Sequence, residues 1–211
     1  MNAEDHVVDT GPRKIRAFLA LKTPREWDEK LGELQKTLRS KFGSGAFRWT
    51  KPEQIHITLR FFGWITMADA ESLKVLLPGI CAAHRGLQLQ CESLGAFPNM
   101  KRPRVLWAGL KGNSAEAGAL QNDLAAATTP FGDPPEDRPF KPHLTLARLK
   151  DPTRGEISDL EHAIARGFKI DSTWRVEEVL LMQSHLSPQG STYETMAGFK
   201  LNSYEVSESA R

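Results

Sequence analysis

The sequence predicts an α+β fold in which two small mixed sheets face each other across a groove, with helices packed outside. Three observations carry this. The order strand, helix, strand, helix, strand occurs twice along the chain. Two strings nearly repeat at equivalent places in that order, Gln54-Ile-His56-Ile-Thr58-Leu-Arg60-Phe61 and Pro142-His143-Leu-Thr145-Leu-Ala-Arg148-Leu149. The last two strands are joined by the short stretch Leu186-Ser-Pro-Gln-Gly-Ser191, which suits an antiparallel hairpin. No glycine-rich phosphate loop follows the first strand, so a doubly wound parallel sheet is disfavoured.

Each element has a local reason. Ile15–Leu21 is a short apolar run and forms the first strand. Thr23-Pro24 opens a helix, with threonine at the cap and proline in the first turn. Trp27, Leu31, Leu34 and Leu38 recur at helical spacing through about Phe42, and Gly43-Ser-Gly45 ends the helix. Phe47–Trp49 is a brief edge strand, and Lys51-Pro52-Glu53 turns the chain into the first His-x-Thr strand, ending at Gly63. Thr66 caps a second helix bearing Leu73, Leu76 and Leu77, which ends near Ala83. Leu87–Cys91 alternates as a strand, and a loop runs from Gly95 to Pro103.

The second half repeats the order. Val105–Leu110 is a strand, Ser114 to about Thr128 a helix, and Pro130–Pro139 a proline-rich loop leading to the second His-x-Thr strand. A helix follows over Glu156–Arg166, then strands over Trp174–Ser184 and Thr192–Leu201. The interval from Phe18 to His56 nearly equals that from Trp107 to His143, which points to internal duplication. The pseudo-repeats then span about 14–98 and 104–201 of one domain, 14–201, with a disordered extension over 1–13 and a flexible tail over 202–211.

At 211 residues, with 40% hydrophobic and 26% charged residues, the chain buries a substantial core without staples. A net charge of +2 admits an anionic partner but not the strong basic patch of a duplex binder. Two cysteines without a Cys-x-x-Cys motif read as reduced, partly buried thiols of a cytoplasmic protein. No apolar run approaches a membrane span, and the acidic start does not read as a signal peptide. A monomer is expected.

In a strand, side chains alternate between faces. His56 therefore shares a face with Thr58, and His143 with Thr145, while Ile57, Leu59, Leu144 and Leu146 point toward a core. Two histidines on opposite sides of a reacting centre can supply an acid and a base together near neutral pH. Phosphodiester hydrolysis needs such a pair: one group activates water, and the other protonates the departing oxygen in line across phosphorus. A threonine hydroxyl on the same face donates to a non-bridging oxygen, and cations offset the growing charge. Arg60 falls on the face of His56 by alternation. Arg148, at an odd offset from His143, reaches the site only if the strand bulges or ends there. A metal site of two histidines and a carboxylate is the competing reading. Neither strand carries an Asp or Glu beside its histidine on the same face.

With these residues in view, the chain resembles the two-histidine (2H) phosphoesterases, and within them the RNA 2′,3′-cyclic phosphodiesterases, also called 2′-5′ RNA ligases. The resemblance spans about residues 14–201. It rests on Arg16-Ala-Phe-Leu-Ala, Trp49-Thr-Lys-Pro-Glu-Gln-Ile-His56-Ile-Thr-Leu-Arg-Phe-Phe-Gly63 and Leu94-Gly-Ala-Phe-Pro98. It continues through Arg102-Pro-Arg-Val-Leu-Trp-Ala-Gly109, Arg138-Pro-Phe-Lys-Pro-His143-Leu-Thr-Leu-Ala-Arg148 and Tyr193-Glu-Thr-Met-Ala-Gly-Phe199. It implies a duplicated bilobal fold of two mostly antiparallel sheets lining a central groove, no cofactor and no metal. The implied reaction opens a 2′,3′-cyclic phosphate on RNA or a nucleotide to a 2′-phosphate, and the resemblance also implies 2′-5′ RNA ligation. The implied roles are His56 as proton donor to the 3′ oxygen, His143 as acceptor from water, and Thr58, Thr145 and Arg148 on the phosphate. Small cyclic nucleotides, 2′-5′ oligonucleotides or non-catalytic RNA binding remain open. Lys101, Arg102 and Arg104 form a basic loop, either solvated or an RNA landing strip. Trp49, Trp64, Trp107, Phe61 and Phe97 are either core or base-stacking residues.

Overall fold

The computed structural model describes residues 13–42, 45–188 and 190–203. Apart from Arg13, Asn202 and Ser203, the expected terminal extension and tail lie outside the described residues. Nine strands and four α-helices follow in chain order among the described residues. They are β1 (Lys14–Lys22), α1 (Arg25–Arg39), β2 (Phe47–Trp49), β3 (His56–Thr66), α2 (Met67–Ala82), β4 (Leu87–Phe97), β5 (Val105–Gly112), α3 (Ser114–Ala127), β6 (His143–Leu149), α4 (Arg154–Arg166), β7 (Trp174–Val176), β8 (Glu178–Ser187) and β9 (Gly190–Lys200).

The strands form two sheets, ordered β3-β1-β8-β9 and β2-β6-β5-β4-β7. Every ladder within them is antiparallel, as the resemblance implied, and neither sheet is mixed. The sequence halves also exchange strands. β8 and β9, from the end of the chain, pair onto β1, while β2 and β4, from its first half, join the sheet of β5 and β6. The run expected as one strand over Trp174–Ser184 is two strands in different sheets. Trp174 and Val176 bury on the second sheet, Glu177 breaks the ladder, and β8 starts at Glu178 beside β1 and β9.

The helices lock this exchange. α1 follows a strand of the first sheet but packs on the second, with Trp27 edge-on to Trp174 at 5.5 Å between ring centroids. α3 follows a strand of the second sheet and packs against β3 of the first. α2 lies on β3 and β9, and α4 on β4. α2 and α4 start in capping boxes, Thr66 with Asp69 and Thr153 with Glu156, which satisfy otherwise orphaned helix amides. One apolar core runs beneath both helix layers, from Leu19, Ile57 and Leu73 to Leu106, Leu144 and Leu160. No helix among the described residues is long and apolar enough to cross a membrane. Cys81 and Cys91 are buried free thiols, and burial pushes their pKa values up to about 11 and about 12.

The face of the first sheet opposite this core carries a second, smaller apolar cluster of Phe18, Ala20, Leu180 and Met182, with Phe61 and Tyr193 against it. That face also carries His56, whose ring lies against Phe18 and Tyr193; the groove expected from the sequence is the space this face borders beside the second sheet. β3 is the edge strand of its sheet and approaches β6 of the other, so the two His-x-Thr strands meet where the sheets adjoin.

Candidate active site

Both histidines are the first residue of their strands, and both are held in the same way. His56 Nδ1 lies 2.7 Å from the carbonyl of Gln54, and His143 Nδ1 lies 2.7 Å from the carbonyl of Lys141. A carbonyl only accepts, so Nδ1 carries the proton in each ring and Nε2 is left for chemistry. Thr23 strengthens the first latch: its hydroxyl donates to the carbonyl of Ile55, the residue before His56, at 2.8 Å.

Each imidazole is cradled by two aromatic rings. Phe18 lies 5.0 Å and Tyr193 5.2 Å from His56, centroid to centroid. Phe97 lies 4.9 Å and Trp107 6.4 Å from His143. Lys141 Nζ sits 4.5 Å over the Trp107 ring, a cation–π contact that brings a positive charge beside His143. A Cβ at Gly95 would collide with the Trp107 indole, so that glycine lets the ring lie flat against the sheet. Trp107 Nε1 is buried and finds no hydrogen-bond partner among the described residues.

Burial lowers the pKa of both histidines. At His56 the Gln54 carbonyl opposes this, and the charge of His143 adds to it, which places the two rings within electrostatic reach of each other. At His143 the Lys141 carbonyl and Glu136 oppose the lowering, while the Lys141 and Arg148 charges favour it. The free protein therefore holds both imidazoles mostly neutral at pH 7. An anion beside either ring would oppose this lowering by favouring the imidazolium.

Beyond the threonines the strands stop alternating regularly, and this decides the fate of the two arginines. In β3 the ladder pairs Thr58 with Ala20 and Arg60 with Leu19, leaving Leu59 as an inserted bulge residue. In β6 it pairs Thr145 with Trp107 and Ala147 with Leu106, leaving Leu146 inserted. The bulge thus falls on the leucine of each His-x-Thr-Leu. After it, Arg60 and Ala147 turn to the core face, whereas Phe61 and Arg148 turn to the groove.

The expectation that Arg60 shares the face of His56 and Thr58 is thereby corrected. Arg60 is 4% exposed, and its guanidinium donates to the carbonyls of Phe61, Phe131, Asp133 and Pro134. It staples the loop between α3 and β6, the segment leading to His143, onto β3. Gly63 sits at φ +66° where a side chain would meet Asp133 of the same loop. Arg148 takes the opposite course: it is exposed on the groove face beyond Thr145. The Leu146 carbonyl, displaced by the bulge, accepts from Gln35 Nε2 at 2.9 Å and from the Thr50 amide at 2.9 Å. Gln35 is 1% exposed, so a helix of the other half supports the bulge that aims Arg148.

The structure thus keeps Thr58 on the face of His56, puts Thr145 and Arg148 on the face of His143, sets the two strands side by side, and withdraws Arg60 to the core. Thr58 is exposed and Thr145 half-buried, both open to a ligand. The basic loop is solvent-exposed, and Arg104 pairs with Asp151 at 3.0 Å. Trp49 stacks on Phe42 and Phe47 away from the histidines. The sequence reading missed the cradle of Phe18 and Tyr193, and the role of Lys141. Lys141 carried a signal, because it precedes its histidine by the same two residues as Gln54. Among the described residues no three His, Cys, Asp or Glu side chains gather as a metal-binding group.

Comparison with known proteins gives the family and the fold. The LigT-like phosphoesterase family matches residues 21–107 and 110–193. An RNA 2′,3′-cyclic phosphodiesterase of Methanothermobacter thermautotrophicus is 30% identical over 189 residues, 89% of this chain and 100% of its own. One from Aeropyrum pernix is 33% identical, over 68% of this chain and 80% of its own. Among solved structures, TT0787 of Thermus thermophilus superposes with a TM-score of 0.74 at 27% identity, covering 90% of this chain and 99% of that one. E. coli LigT in complex with 3′-AMP shares the fold with a TM-score of 0.69 at 22% identity, covering 90% and 99%. Two sheets presenting matched His-x-Thr strands, and a family match over most of the chain, give one conclusion: the protein belongs to the LigT-like phosphoesterase family.

Proposed function

We propose that the protein opens 2′,3′-cyclic phosphates at RNA ends or on nucleotides, leaving a 2′-phosphate, by metal-independent two-histidine catalysis. One observation carries the reading. Two strand-initial imidazoles are latched through Nδ1 to carbonyls two residues back, leaving both Nε2 atoms for chemistry on the groove side of adjoining sheets. The names of the relatives support the substrate class.

In this scheme His143 Nε2 takes a proton from water as the water oxygen bonds to phosphorus. The bond from phosphorus to O3′ breaks, and His56 Nε2–H delivers its proton to that oxygen. Thr58 and Thr145 donate hydroxyls to the non-bridging oxygens, and Arg148 offsets the charge that grows there. The protein acts as a monomer. With a ribose 5′-hydroxyl in place of water, the same step forms the O5′–phosphorus bond as the O3′–phosphorus bond breaks, leaving a 2′-5′ linkage; His143 again takes the nucleophile's proton and His56 again protonates O3′.

The test is incubation with an oligonucleotide ending in a 2′,3′-cyclic phosphate, in EDTA, followed by phosphorus NMR. The expected product is a 2′-phosphate. Survival of the cyclic phosphate, or turnover only on metal addition, would overturn the proposal.

A further inference from the structure

The groove face of the first sheet does not end at the catalytic histidine. Along β3 the residues on that face after the bulge are Phe61 and then Trp64, paired with Phe18 and Arg16 of β1. Trp64 is 58% exposed, a large aromatic left in water on a face whose neighbours are packed. Arg16 lies 4.5 Å over the Phe61 ring, so a cation is held flat on the same floor. Ser184 of β8 pairs with Arg16 across the ladder and is 6% exposed. Its Oγ has no hydrogen-bond partner among the described residues. An exposed indole, a stacked guanidinium and an unpaired buried hydroxyl thus adjoin on one face, continuous with Tyr193 and His56.

We propose that this strip is a subsite for the nucleotides on the 5′ side of the reacting phosphate, with Trp64 stacking a base and Arg16 pairing with a backbone phosphate. The inference rests on the reading that RNA ends are the substrate. Thr58 faces Ala20 and Trp64 faces Arg16, a separation of four β1 residues, or roughly 13 Å. A nucleotide whose cyclic phosphate lies at Thr58 leaves Trp64 to the residue joined at its 5′ side. Stacking on an indole tolerates any base, and a single cation follows the backbone without reading sequence. Arg16 swinging out to a phosphate uncovers Ser184 Oγ as a further donor.

Binding tests this without turnover. The probe is a 5′-fluorescein-labelled oligoribonucleotide ending in a 2′-phosphate, followed by anisotropy, with the corresponding mononucleotide 2′-phosphate as competitor. Trp64→Ala should weaken oligonucleotide binding roughly tenfold and Trp64→Phe should restore most of it. The ratio of oligonucleotide to mononucleotide affinity should fall with Trp64→Ala. Arg16→Gln should lower the slope of log affinity against log salt by about 0.7, the value for one phosphate on a single strand. Equal oligonucleotide affinity in Trp64→Ala and the unaltered protein, or no advantage of oligonucleotide over mononucleotide, would overturn the subsite. Loss of cyclic-phosphate hydrolysis is a separate result and bears on the proposed reaction alone.

Discussion

The two arginines of the repeated motif differ in kind, and substitution separates them. Arg60→Ala removes a guanidinium that serves four carbonyls from a 4% exposed position. A buried acceptor left unpaired costs about 1–3 kcal/mol. Gly132, Asp133 and Pro134 are exposed, so part of their loop rehydrates. The net loss should be about 2–3 kcal/mol, near the cost of one such acceptor plus lost packing. For a domain of this size that lowers Tm by about 5–10 °C. Arg60→Lys should not rescue it, because an ammonium cannot span the planar set of acceptors. Arg148→Ala, at an exposed position, should change stability by less than about 0.5 kcal/mol. It should lower kcat/KM roughly 10- to 100-fold, the loss of a charged hydrogen bond to phosphate. Urea titration and hydrolysis of a cyclic-phosphate oligonucleotide, run on both variants, read the two effects. An Arg60→Ala protein as stable as the unaltered one, or an Arg148→Ala protein of undiminished rate, would refute the assignment from the bulges.

Other outcomes are tied to the same geometry. His56→Ala and His143→Ala should each slow hydrolysis at least about a hundredfold with the circular dichroism spectrum unchanged; near-normal rates in either would remove it from the scheme. Because burial lowers both histidine pKa values, the bell of kcat/KM against pH should centre on the acid side of 6.5. The kcat profile should move upward as bound phosphate favours the imidazolium, and the two limbs belong to the coupled pair, not to either residue. A depressed folded pKa means that unfolded chains bind more protons. The stability this gives is complete above about pH 6.5 and is lost as pH falls through the folded values, so urea midpoints should drop from pH 7.5 to 5, less so in His56→Asn. Gly95→Ala should cost about 1–3 kcal/mol by tilting Trp107 off the sheet, and should slow turnover through His143. Gln35→Leu strips the Thr50 carbonyl of its 2.7 Å donor and should cost about 1–3 kcal/mol, with a fall in kcat/KM as the Leu146 bulge relaxes.

Local chemistry wrote much of this protein into its sequence. Alternation at His56-Ile-Thr58 and His143-Leu-Thr145 is a property of any strand, so the polar pair and its apolar backing are legible without a partner. The cap at Thr66 and the apolar faces of the helices are equally local. The backbone path beyond each threonine is not local. A bulge forms where the neighbouring strand fixes the register and another element satisfies the displaced carbonyl, as Gln35 does for Leu146 from far along the chain. Alternation alone therefore put Arg60 in the groove and Arg148 out of it, and the tertiary structure reversed both. The same limit split Trp174–Ser184 between two sheets, since strand pairing at long separation is decided by which core each face can bury. The histidines and threonines were set by the sequence itself; their cradle of Phe18, Tyr193, Phe97 and Trp107, and the choice of arginine, came only from packing strands of both halves together.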